Sequence, residues 1–96
     1  MQKEWSKLTE TGIVLDYSPF VKESKIYVMQ EGKQNCSEVA STMEEIVNTI
    51  IDLAYKNNIY NVFVYAPSFF ADGITKDINE YERNQYSMNR IKVEVI

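Results

Sequence analysis

The stretch Ile59-Tyr60-Asn61-Val62-Phe63-Val64-Tyr65-Ala66-Pro67-Ser68 limits the fold more than any other part of the chain. It is an almost unbroken apolar strand candidate, ended by a proline where a helix is about to start. A strand without polar alternation is buried on both faces, which is the condition of a parallel strand in an α/β sheet. Such sheets carry their working residues just past the strand ends, so Ala66 to Ser68 is the first place to look for chemistry. None of those three is an acid, a base or a strong nucleophile.

The flanking segments extend this reading. Gly12 to Tyr17 and Lys25 to Gln30 are short, rich in β-branched and aromatic residues, and separated by the turn chemistry of Ser18-Pro19; they predict the arms of a hairpin with a wide connection. Glu31 to Asn35, with Gly32, reads as a polar loop, and Ser41-Thr42-Met43-Glu44 matches a capping box with Ser41 as the cap. Behind it, Met43, Ile46, Val47, Ile50, Ile51 and Ala54 recur at helical steps, and Asn57-Asn58 supplies the stop. Ser68 reads as the cap of a second helix with Phe70, Ile74, Ile78 and Tyr81 facing inward, where Gly73 either delays the helix or marks close packing. Ile91 to Ile96 alternates apolar and charged residues, as a half-buried strand near a sheet edge does. The predicted class is α/β: a mixed sheet of about four strands in β-β-α-β-α-β order with two helices packed on it, forming a single domain over 1–96. Residues 1–10, with Trp5 and Leu8, are expected to add a short helix, an extra strand or a flexible lead.

Composition narrows the function classes. With 45% apolar and 25% charged residues in 96, the chain suits one soluble core. Its apolar runs fall well short of the roughly 20 residues that cross a bilayer, so no membrane partner is expected. Met1 to Trp5 lacks a signal-peptide core and Cys36 is the single cysteine, which together predict a cytoplasmic protein. Fourteen acids against ten bases give a net charge of −4 without a basic cluster, which argues against direct nucleic-acid binding. Histidine is absent, which excludes serine-histidine and cysteine-histidine catalysis. Cys36 therefore has no histidine to activate it and is expected only to pack.

From Ser37 to Ile78, a helix entered through a polar segment, a buried strand and a short turn into another helix together resemble the middle of a ribonuclease H-like domain. The resemblance implies divalent metal held by carboxylates from the first strand, the first long helix and the end of the central strand. Asp16 matches the first position, and Glu44 or Glu45 the second. At the third, this chain has Tyr65-Ala66-Pro67-Ser68, with proline where an aspartate is expected and Asp72 one helical turn further on. The resemblance thus implies a reduced, magnesium-dependent phosphodiesterase on Asp16, Glu45 and Asp72. Each also has a plain structural reading: Asp16 as a turn residue, Glu44 as part of the capping box, Glu45 as a solvated helix residue.

Ser68 lacks the flanking glycines of a nucleophile elbow, and Gly12, Gly32 and Gly73 are too scattered to cradle a phosphate. A small anion or nucleotide has only the helix start at Ser68 to bind. Seven tyrosines and four phenylalanines are many for this length, and adjacent Phe69 and Phe70 cannot both face a core. Phe69, Phe70, Tyr17, Phe20, Tyr81 and Tyr86 are accordingly the candidate binding residues, with no catalytic residue assigned. The expectation is a non-enzymatic accessory protein that binds another protein. Its Lys, Asn, Ile and Tyr content suits an AT-rich bacterium or its phage, and its acidity suits an inhibitor of a host nucleic-acid-handling or defence protein. Ile91 to Ile96 offers an edge through which a homodimer would form.

Overall fold

The computed structural model describes residues 10–18, 24–30, 33–40 and 42–96. The elements follow in the order β1 (Gly12–Asp16), β2 (Ser24–Gln30), β3 (Lys33–Ala40), α1 (Met43–Asn57), β4 (Asn61–Tyr65), α2 (Ser68–Tyr86) and β5 (Lys92–Val95). One mixed sheet results, with spatial order β3-β2-β1-β4-β5. The central strand β1 is antiparallel to β2, with Ile13 opposite Val28, and parallel to β4, with Ile13 opposite Val62. Strand β5 continues the parallel side and β3 the antiparallel side. The α/β class and the predicted element order are present, with one strand more than expected.

That extra strand begins at Lys33, within the segment read as a loop from Glu31 to Asn35, and places Cys36 within β3; Glu31 and Gly32 lie outside the described residues. Its sequence, Lys-Gln-Asn-Cys-Ser-Glu-Val-Ala, is too polar to signal a strand by propensity. At the sheet margin it needs only one neighbour, and β2 supplies the ladder, with a register shift between Ile26 and Tyr27.

Both helix starts also differ from the sequence reading. Thr42, in extended conformation, is the cap of α1, and its hydroxyl accepts a 3.1 Å hydrogen bond from the Glu45 amide. The capping pattern is therefore shifted by one residue from Ser41, which lies outside the described residues, as do residues 1–9 and Phe20. Pro67 occupies the cap position of α2, so Ser68 is the first helical residue and does not cap. A proline there fixes the entry angle but offers no side-chain acceptor to the free amides. The ends behave more simply: Asn58 and Ser87 close the helices in the left-handed region, each with φ 56°.

Both helices cover the same face of the sheet. Ile46, Val47, Ile50, Ile51 and Ala54 of α1 and Ala71, Ile74 and Ile78 of α2 pack with Ile13, Leu15, Ile26, Val62 and Val64. The second helix has rotated from the expected stripe: Phe70 is half-buried, Tyr81 is exposed, and Ala71 and Glu82 take the inward positions. On the opposite face, Val14, Met29 and Phe63 form a separate buried cluster with Tyr27, Tyr65 and Ile96 against it. Gly12 is required there, because a Cβ on it would overlap the Phe63 ring and lie 3.1 Å from the Asn61 carbonyl oxygen. At Gly73, by contrast, α2 is continuous, and an added Cβ would meet only the Met43 Cε at 3.7 Å.

Candidate functional site

The carboxylates that the ribonuclease H-like resemblance nominates do not converge. Asp16 ends β1 and is only 4% exposed. Side chains alternate along a strand, so Asp16 shares the face of Val14, away from Leu15 and the helices. Its register partners are Lys25 on β2 and Tyr65 on β4. Glu44 and Glu45 project from the first turn of α1 and Asp72 from just past the first turn of α2, on the other side of the sheet, and all three are exposed. Among the described residues, no three of the His, Cys, Asp and Glu side chains are grouped to hold a metal ion. Asp16, Glu45 and Asp72 are thus not a ligand set.

The five described aromatic candidates separate into packed and open rings. Tyr17 and Phe70 stack on each other, centroids 4.0 Å apart, beside the backbone bond from the Tyr17 amide to the Tyr65 carbonyl. Tyr86 stacks on Tyr55 at 3.9 Å. These rings spend their faces on each other. Phe69 is 77% exposed and Tyr81 38% exposed, and the step of 12 residues from one to the other places the two about 18 Å apart along α2. They are not one patch.

Tyr81 belongs to a cleft between α1 and α2, with a volume of about 300 Å³, lined chiefly by Met43, Glu44, Asn48, Asp77, Glu80 and Tyr81. The helical pattern explains its composition. Met43 begins the apolar stripe of α1 one turn before the sheet is reached, so it is left 38% exposed at the rim. Asp77, Glu80, Tyr81 and Asn84 lie on the flank of α2 that turns from the sheet toward α1. Glu44, Asp77 and Glu80 give the cleft three carboxylates, and no lysine or arginine lines it among the described residues. At its floor the Asn48 Oδ1 is buried without a hydrogen-bond donor. A buried acceptor without a donor costs about 1–3 kcal/mol, which a donor entering the cleft would recover.

Glu82 is the polar group that sequence reasoning missed. It is 0% exposed, and its carboxylate accepts from the Tyr55 hydroxyl, from the Arg90 amide at 2.9 Å and from the Ile91 amide at 3.2 Å. A buried carboxylate is tolerated when donors replace its water, and here a phenol and two backbone amides do so. Loss of water, and then the hydrogen bond and negative charge of Glu82, push the Tyr55 phenol up to about 12. Arg90 sits over the Tyr60 ring, 5.6 Å from its centroid, and Asn89 reaches back to the Asn79 carbonyl at 3.1 Å. The cluster fastens the chain entering β5 to α1 and α2. The signal for it was periodic: Ala71, Ile74, Ile78 and Glu82 fall at steps of three, four and four, with the acid at a core position.

The start of α2 has neither a side-chain cap nor an acid in its first turn, and Ser68 is exposed there. Among the described residues, no helix is long and apolar enough to cross a membrane. No protein-family model, curated protein or solved structure matches the chain.

Proposed function

We propose that this protein is a non-enzymatic binding domain that holds a basic segment of another protein in the cleft between α1 and α2. The observation that carries the reading is the cleft itself: three carboxylates, a half-open Met43 and Tyr81, and the unmet acceptor of Asn48. Apolar anchors within a charged rim are the usual make-up of a protein-binding surface. An arginine or lysine entering the cleft would give Asn48 its donor, while the three acids would speed encounter with a basic partner. Phe69 lies outside the cleft and is a separate exposed ring.

In this reading the sheet is a ribonuclease H-like scaffold used for contact instead of hydrolysis. The hairpin on one side of β1 and the two crossover strands on the other support that resemblance. The partner class that suits the chemistry is a nucleic-acid-handling protein, whose basic channel would accept an acidic domain in place of phosphates. An inhibitor carried by a phage or mobile element fits such a role.

Affinity capture from host lysate, with wild-type protein and a Glu44→Lys/Asp77→Lys/Glu80→Lys bait in parallel, tests the proposal. The expected result is a basic nucleic-acid-handling protein retained by the wild type and by Phe69→Ala but lost by the triple variant. A partner retained equally by the folded triple variant would overturn the reading, as would the absence of any specific partner.

A further inference from the structure

We infer that β5 is the seam of a twofold dimer, in which β5 of a second copy pairs antiparallel with it and Val93 lies on the axis. Among the described residues β5 is the last strand of the sheet, hydrogen-bonded to β4 on one side. The amides of Lys92 and Ile96 point to β4, reaching the Tyr60 carbonyl at 2.8 Å and the Val64 carbonyl at 3.0 Å. Backbone groups alternate in direction along a strand, so those of Val93 and Val95 point outward, where an added strand would meet them. Val95 is also 48% exposed.

The charges select the register. Outward-pointing residues must oppose one another in an antiparallel ladder, which leaves three twofold pairings. With Val93 opposite itself, Lys92 faces Glu94 of the second copy, and Glu94 faces its Lys92. With Val93 opposite Val95, Glu94 faces the second copy's Glu94, a like-charge pair that opposes pairing. With Val95 opposite itself, Glu94 faces Ile96, an apolar residue, instead of a lysine. Only the first register satisfies both charges.

Helix α2 supplies an independent match. Glu82 is held to the Ile91 amide, and α2 runs opposite to β5 because it crosses between the parallel strands β4 and β5. Two strand residues onward, about 6.6 Å at 3.3 Å each, lies Val93. The same distance along α2 is between four and five residues at about 1.5 Å each, which brings the axis near Asp77 and Ile78. Asp72, Lys76, Asn79 and Arg83 line the trough of about 570 Å³ between α2 and β5. They are spaced almost evenly about that point. A twofold there sets Asp72 against Arg83 of the second copy, and Lys76 against its Asn79. The pairing that satisfies β5 therefore also satisfies the helix face above it, so the occupant we assign is a second copy of this chain.

Sedimentation equilibrium over a range of protein concentrations tests the assignment, using exposed positions whose variants leave the core intact. The wild type is expected to sediment with the mass of two chains. Glu94→Lys alone and Lys92→Glu alone are each expected to raise the dissociation constant roughly tenfold or more, because both symmetric pairs then carry like charges. The double variant Lys92→Glu/Glu94→Lys is expected to regain the wild-type constant. A wild type that remains monomeric at millimolar concentration would overturn the proposal, and so would a dimer in which the double exchange fails to rescue the single ones. Strand addition by a foreign protein would appear as a monomer in this experiment and counts against the dimer.

Discussion

The phenol of Tyr55 on α1 donates its hydrogen bond to the buried carboxylate of Glu82 on α2, and that carboxylate in turn holds the amides of Arg90 and Ile91. One side chain thus joins both helices to the entry of β5. Glu82→Gln keeps the shape but presents an amide donor where two backbone donors and a phenol need an acceptor. We expect it to lower stability by about 2–3 kcal/mol, read as a fall in the urea midpoint. Tyr55→Phe, which removes one donor and leaves two, is expected to cost about 1 kcal/mol. A midpoint unchanged in Glu82→Gln would show that the carboxylate does not tie the elements together.

The same pair makes stability depend on alkaline pH. The Tyr55 phenol titrates at 10.0 when unfolded and is raised to about 12 in the folded protein. Between those values the unfolded chain has lost its proton and the folded one has not, so stability falls as pH rises through this window. Below it the contribution is fully present. Unfolding curves measured from neutral pH upward should show the advantage of wild type over Tyr55→Phe shrinking above pH 10. A difference between the two that stays constant would contradict the coupling.

The two described glycines should respond in opposite directions. Gly73 lies inside α2 with only an ordinary contact to Met43 awaiting a methyl group, so Gly73→Ala is expected to stabilise by up to about 1 kcal/mol. Gly12 has the Phe63 ring and the Asn61 carbonyl where its side chain would go. Gly12→Ala is expected to destabilise by about 1–3 kcal/mol through overpacking. Thermal unfolding of both variants beside the wild type is sufficient to check the signs.

Much of the architecture was readable because hydrophobic burial writes itself into periodicity. The unbroken run at Val62 to Tyr65 marks a buried strand, and the recurrence from Ile46 to Ala54 marks a helix with one inward face. Strand β3 was illegible for the converse reason: at the sheet margin its ladder is formed by backbone groups, which any sequence carries. The cap of α1 lay between two adjacent hydroxyl residues, Ser41 and Thr42, whose patterns differ by a single step. Glu82 was hidden because a charged residue is ordinarily assigned to the solvent side, and its donors come from Tyr55, Arg90 and Ile91, which only folding brings together. The candidate cleft was less legible still. Its components are unremarkable singly, and the packing of α1 beside α2 creates the acidic concentration.

Strand β1 has a kinetic consequence as the one strand shared by both halves of the sheet. Ile13 finds Val28 close by in the chain but must wait for distant Val62 on its other side. Closing the longer loop has the greater entropic penalty, and long-range strand pairings form more slowly than local ones. The N-terminal meander of β1, β2 and β3 is therefore the natural template, and β4 and β5 are laid onto it after α1 and α2 have formed. Pulse-labelled hydrogen exchange during refolding should accordingly protect the amides of Val14 and Val28 before those of Phe63 and Lys92, giving the sheet an order of assembly that runs from one margin to the other.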